Sequence, residues 1–185
     1  MTLVLSFVIY GLSDVRQSAT TSFGVTLLGV VWVGAGLGFL LLIRDIPDFP
    51  QPGILFRDIT PLLADAEGLQ AALAGMTELA RAAEPGCIVG IESRGFIFGA
   101  PIADRLNLPF VPVRKPGKLP AARMSVEYSL EYGQSRLDIH EDAMAPGTRA
   151  LIVDDLLATG GTALAAAKLV AMVGGVAPGF AFADD

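Results

Sequence analysis

One cysteine, Cys87, and one histidine, His140, stand in a chain of 185 residues. A single cysteine excludes an internal disulfide framework and suits a reducing compartment. A single histidine excludes a multi-histidine metal site. Cys87 begins an apolar run (CIVGI), the place of a packed residue rather than a nucleophile. Cations are short as well: 13 Lys and Arg face 19 Asp and Glu, for a net charge of −6. Nucleic-acid binding wants a basic face, so that class is disfavoured, whereas a few clustered cations and backbone N–H groups still bind small anions. Charge of either sign is missing altogether from Gln17 to Ile43. Within that span Phe23–Ile43 (FGVTLLGVVWVGAGLGFLLLI) is as long as the ~20 apolar residues that cross a bilayer. A signal peptide would need a charged n-region and a cleavage site, and neither is present. The flanking Asp14, Arg16, Arg44 and Asp45 set no orientation.

From Arg44 onward the composition is that of a folded domain. Asp45–Asp58 has three prolines and a glycine and reads as a loop with a strand-like piece at Ile54–Phe56. Thr60 is placed to cap a helical turn opening at Pro61. Helical spacing runs over Glu67–Ala83 and ends at Pro85-Gly86. Short apolar runs at Cys87–Ile91, Phe110–Val113, Ala150–Val153 and Val176–Phe182 read as strands. Helices are expected at Gly95–Leu106 and Thr162–Val173, an extended hairpin at Ser125–Asp138, and a basic Gly/Pro loop at Arg114–Arg123. Apolar strands without polar alternation, separated by helices, indicate an α/β domain with a mainly parallel sheet covered on both faces.

Leu151–Thr162 (LIVDDLLATGGT) carries the chemistry. A buried strand runs into two adjacent carboxylates, Asp154 and Asp155, and a small-residue turn (Ala158, Thr159, Gly160, Gly161, Thr162) then opens a helix. Glycines let the backbone approach an anion, and N–H groups at a helix N-terminus point at it. The two hydroxyls add donors. Carboxylates would repel a phosphate; they suit the hydroxyls of a ribose, or a Mg²⁺ ion reached through water. The loop lacks the Gly-Lys-Ser/Thr of a Walker motif and the Gly-x-Gly-x-x-Gly of a dinucleotide site.

This segment resembles the phosphoribosyl-diphosphate signature of type I phosphoribosyltransferases. Arg44–Leu63 (RDIPDFPQPGILFRDITPLL), Gly90–Ala100 (GIESRGFIFGA), Phe110–Pro120 (FVPVRKPGKLP) and Ser125–Gly133 (SVEYSLEYG) resemble, in order and spacing, the motifs of the adenine phosphoribosyltransferases within that group. The resemblance covers roughly residues 43–182. It implies the type I phosphoribosyltransferase fold and the reaction of adenine with phosphoribosyl diphosphate to give AMP and diphosphate, with Mg²⁺ carried by the substrate rather than by direct protein ligands. It implies a cytoplasmic homodimer in purine salvage. Ser93 and Arg94, just after a buried strand, would meet the diphosphate, a salt bridge with Glu92 being the competing use of Arg94. Arg114, Lys115 and Lys118 would reach the diphosphate, in the neighbouring subunit of the dimer. Leu55, Phe56 and Arg57 would hold adenine, with Phe56 stacked on the purine. Glu131 matches the catalytic acid, which would manage the proton leaving the imidazole ring; Glu127 is the competing carboxylate. Tyr132 would lie on a lid that excludes water.

Two departures stand out. Where the family has a short amphipathic helix, residues 1–43 are an apolar segment, read either as a membrane anchor or as a mis-called start or fusion ahead of an ordinary enzyme domain at 44–185. After Ala183-Asp184-Asp185 the family's pattern continues, so the resemblance implies a C-terminal part of the fold that is incomplete here. The alternatives to catalysis are a regulator that binds phosphoribosyl diphosphate and an inactive truncated product. The presence of Glu131 and the basic loop favours the enzyme.

Overall fold

The computed structural model describes residues 42–130, 133–157 and 160–184. The chain divides into two compact units, Met1–Leu62 and Leu63–Asp185. In the described part of the first, β1 (Arg44–Pro47) pairs antiparallel with β2 (Leu55–Asp58), Ile46 standing opposite Phe56. The sequence reading has a loop where β1 lies; Pro47 at its end and two prolines in the connection hide a short strand whose partner is what orders it. β2 sits one to two residues later than Ile54–Phe56. At its end Asp58 accepts from Thr60 N–H at 2.9 Å and pairs with Arg44 at 2.5 Å. Asp58, rather than Thr60, therefore caps α1 (Thr60–Ala64).

The second unit contains α2 (Ala66–Ala82), β3 (Cys87–Ile91), α3 (Arg94–Leu106), β4 (Phe110–Val113), β5 (Arg123–Leu130), β6 (Gly133–His140), β7 (Ala150–Leu156), α4 (Gly161–Met172) and β8 (Phe180–Asp184). Asp65 caps α2, accepting from Gly68 N–H at 2.7 Å. The sheet order is β4-β3-β7-β8, with every pairing parallel, while β5 and β6 form a separate antiparallel ribbon. All five residues of β3 are buried, as a strand covered on both faces must be. Cys87, Val89 and Ile91 turn to a core shared with Leu137 and Ile139 of β6 and with Ala165, Leu169 and Val170 of α4. Ile88 and Gly90 turn to the opposite face, against α3. There the Phe110 ring fills a notch left by two glycines: a Cβ on Gly90 would lie 2.6 Å from it and one on Gly99 2.9 Å.

The three longer helices start one residue earlier than read and the hairpin strands reach Arg123 and His140, while β7 and β8 differ more. β7 continues through both acids to Leu156, because parallel pairing with β8 extends that far. β8 begins at Phe180; Val176 makes only an isolated bridge to Arg149, since Pro178 and Gly179 interrupt the run. No helix among the described residues is long and apolar enough to cross a membrane, and most of the Phe23–Ile43 segment lies outside them.

Candidate active site

The carboxyl ends of β3, β4 and β7 meet at one edge of the parallel sheet, the edge where α/β folds bind ligands. Gly95, in the first turn of α3, makes the approach possible. A Cβ there would stand 2.5 Å from the carbonyl oxygen of Val153 and 3.1 Å from Oδ1 of Asp154. With only hydrogen at this position, the start of α3 rests on the end of β7. Arg94 thereby comes beside the acid pair.

Arg94 Nε lies 2.9 Å from Oδ2 of Asp155, whose side chain is 4% exposed. The two form an ion pair, and that oxygen accepts no hydrogen bond among the described residues. Asp154 Oδ1 accepts from the N–H of Asp155 at 2.9 Å. Burial, and then the charge of the adjacent Asp155, push the Asp154 carboxyl from its ordinary 3.8 up to about 7. The site thus holds one acid ion-paired to Arg94 and one poised to titrate near neutrality.

At the far end of the loop, Gly160 has φ +78° and caps α4 with open space around its Cβ position. A side chain would be strained there. No described side chain makes a capping hydrogen bond to the N-terminus of α4, which has Gly161 and Thr162 in its first turn. Thr162 Oγ1 lies 3.4 Å from Oη of Tyr128 on β5, a long contact between two hydroxyls. Tyr128 was not among the residues the motifs single out, and only its repeat as Tyr-x-x-x-Tyr with Tyr132 hints at it.

The basic loop begins where β4 ends. Arg114 donates from Nε to Oε2 of Glu92 at 3.1 Å and from Nη1 to the carbonyl of Lys118 at 3.3 Å. The N–H of Lys115 donates to the same Glu92 oxygen at 3.0 Å. Burial opposes ionisation of Glu92. The bonds from Lys115 and Arg114, with the charges of Arg114 and Lys118, outweigh it and hold the carboxyl below its usual range. Glu92 is therefore spent on Arg114, and Arg94 pairs with Asp155 instead of the competing Glu92. Ser93 follows Glu92 across a cis peptide and is exposed.

The structure brings together Ser93, Arg94, Arg114, Asp154 and Asp155, and sets Gly160–Thr162 at the head of α4. Leu55, Phe56 and Arg57 lie on β2 in the first unit. There the Phe56 ring meets Phe49 edge-on at 5.1 Å and Arg57 Nε is 3.8 Å from Asp45. Ala158 and Thr159 of the loop, Glu131 and Tyr132 lie outside the described residues. Among the described residues no cluster of three or more His, Cys, Asp or Glu could hold a metal ion.

Comparison with known proteins gives this geometry its context. Residues 64–176 match the phosphoribosyl transferase domain family. An adenine phosphoribosyltransferase from Synechococcus is 62% identical over 141 residues, which cover 76% of this chain and 82% of the relative. The crystal structure of adenine phosphoribosyltransferase from Rhodothermus marinus is 48% identical, with a TM-score of 0.75 and coverage of 81% of this chain and 85% of that one. The Saccharomyces cerevisiae enzyme, complexed with an imino-altritol bisphosphate and adenine, is 36% identical at a TM-score of 0.76, covering 82% and 89%. Its type I phosphoribosyltransferase fold and these relatives agree: the chain belongs to the adenine phosphoribosyltransferase family.

Proposed function

We propose that this site transfers the phosphoribosyl group of phosphoribosyl diphosphate to adenine, releasing diphosphate and leaving AMP, as a step of purine salvage. The observation that carries the reading is the meeting of Arg94 with the Asp154–Asp155 pair at the sheet edge, one loop away from a helix N-terminus that no described side chain caps. A cation, a diol acceptor and an anion seat are the three parts a phosphoribosyl diphosphate requires.

The ribose C1 gains positive charge in the transition state while charge builds on the departing diphosphate, so catalysis is mostly positioning and electrostatics. Asp154 and Asp155 accept from the ribose hydroxyls. The backbone of Ala158–Thr162, with the Thr159 and Thr162 hydroxyls, holds the 5′-phosphate. Ser93 and Arg94 take the diphosphate, where a guanidinium can bind in bidentate fashion, and the loop of Arg114, Lys115 and Lys118 reaches the diphosphate of the neighbouring subunit. Leu55, Phe56 and Arg57 hold adenine, Glu131 takes the proton from its imidazole ring, and Tyr132 covers the site. The acid pair fits a magnesium ion that arrives with the substrate and is reached through water, since two carboxylates alone do not make a cage. When bound, that ion would neutralise charge on the leaving group. The enzyme works as a cytoplasmic homodimer, with residues 44–185 as its catalytic domain. The Phe23–Ile43 segment would put it on a membrane only if it is a genuine anchor.

A coupled assay for AMP from adenine and phosphoribosyl diphosphate, with hypoxanthine as control, tests the reading. Turnover with adenine alone is expected, and turnover with hypoxanthine alone would overturn the base assignment.

A further inference from the structure

Tyr128 brings a hydroxyl to the head of α4 and has no part in the roles above. Met124, Val126 and Tyr128 stand at alternate positions of β5 and pack from one face of the ribbon against the core that includes α4. Tyr128 is the only one of the three with a hydroxyl. Its Oη lies 3.4 Å from Thr162 Oγ1, with Thr162 donating. That is longer than the roughly 2.7–2.8 Å usual between hydroxyls. Both residues are half-buried, and among the described residues neither hydroxyl has a second hydrogen-bond partner. Two protons therefore share one bond. When Thr162 donates, the phenol proton has no acceptor among the described residues. When Tyr128 donates, the Thr162 proton is the free one, and at a helix N-terminus the natural acceptor for it is an anion. No Lys or Arg lies between Asp155 and Thr162, so the loop offers an anion only neutral donors, and the aim of each one counts.

We propose that Tyr128 is a positioning residue for the 5′-phosphate of the phosphoribosyl group: it donates to Thr162 Oγ1 and so turns the Thr162 O–H towards the anion. This rests on the reading of Ala158–Thr162 as the phosphate seat. A hydroxyl oxygen accepts one bond while it donates another. Tyr128, Thr162 and the phosphate then form a chain in which each bond polarises the next, and both hydroxyl protons are used. Tyr128 acts through Thr162 and not on the phosphate itself.

That last point makes the proposal testable by a double-mutant cycle. In the full chain, Tyr128→Phe, Thr162→Ala and the double variant are compared with the parent for kcat, for KM of each substrate, and for inhibition by AMP and by diphosphate. Tyr128→Phe keeps the ring in the core and removes one oxygen. It is expected to raise KM for phosphoribosyl diphosphate and to weaken AMP inhibition by about fivefold, the scale of one neutral hydrogen bond. Inhibition by diphosphate, which carries no 5′-phosphate, should stay within about twofold, as should kcat and KM for adenine. With Thr162 already replaced by Ala, the added Tyr128→Phe should change KM by less than about twofold. An undiminished fivefold effect in that background would overturn the proposal, because Tyr128 would then act without Thr162. A fall in kcat at unchanged KM, or an equal loss for every ligand with a lowered Tm, would sink it too. Thr162→Ala separates the two readings. If it leaves KM for phosphoribosyl diphosphate and AMP inhibition unchanged, the phosphate seat itself is misassigned; if it weakens both while Tyr128→Phe does not, only the role of Tyr128 fails.

Discussion

Asp154 shows at the scale of one residue how a binding site costs stability. In the unfolded chain its carboxyl titrates near 3.8; in the fold, burial and the neighbouring Asp155 raise it to about 7. Between those values the folded protein keeps a proton that the unfolded chain has released. Stability from this group is therefore intact below about pH 4, falls as pH rises towards 7, and levels off above. Asp154→Asn cannot ionise and preserves the oxygen that accepts from Asp155 N–H. We expect the variant to melt later than the parent at pH 8, by on the order of 2 kcal/mol after discounting for the part of the side chain that water still reaches. The difference should vanish near pH 4. The same variant should lose about tenfold or more in kcat/KM for phosphoribosyl diphosphate, because an amide is a poorer acceptor for the ribose diol. Thermal melts from pH 4 to 9 beside initial rates check both halves. Equal melting at all pH values would show that burial does not strain this acid.

Among the elements, two glycines at the heads of two helices serve for different reasons. Gly95 is a matter of contact: a Cβ would meet the backbone oxygen of Val153 at 2.5 Å, and backbone cannot turn aside. Gly95→Ala should cost about 1–3 kcal/mol, the usual range for overpacking, and should disturb Arg94 as α3 shifts from β7. Gly160 is a matter of conformation, with φ +78° and nothing near its Cβ position. Gly160→Ala should cost about 1–2 kcal/mol and weaken the phosphoribosyl substrate more than the fold, since it strains the backbone of the proposed phosphate loop. Denaturant unfolding and KM measured for both variants separate the two cases.

These elements also mark what a sequence can disclose. The order strand, acid pair, small turn, helix in Leu151–Thr162 is local, so it was legible, as were the five residues of β3 and the run at Phe110–Val113. β1 was not legible, because its order comes from β2 across an intervening proline-rich connection. Nor was the exchange of partners by which Glu92 takes Arg114 and Arg94 takes Asp155. Those pairs are far apart along the chain, and only the parallel pairing of β3 with β4 and β7 brings them side by side. Asp138 is another case: fully buried on β6, it collects Arg123, Arg136 and Ser125 from positions that read as an ordinary polar hairpin face.

For the molecule as a whole, the match to the phosphoribosyl transferase domain starts at residue 64, and the ribbon ahead of it starts at Arg44. A chain beginning at Arg44 is expected to form AMP at a rate within about threefold of the parent, because every residue assigned to the chemistry lies at or beyond Leu55. Loss of activity without loss of folding, judged by circular dichroism, would show that residues 1–43 belong to the working enzyme.

Cys87 is 2% exposed at the start of β3, and burial raises its thiol above the ordinary value. It is also the only sulfhydryl in the sequence. The protein is thus chemically silent towards maleimides while folded. One cysteine introduced at exposed Ala145, at the sheet edge opposite the acid pair, would carry a dye or a surface tether at a single known position.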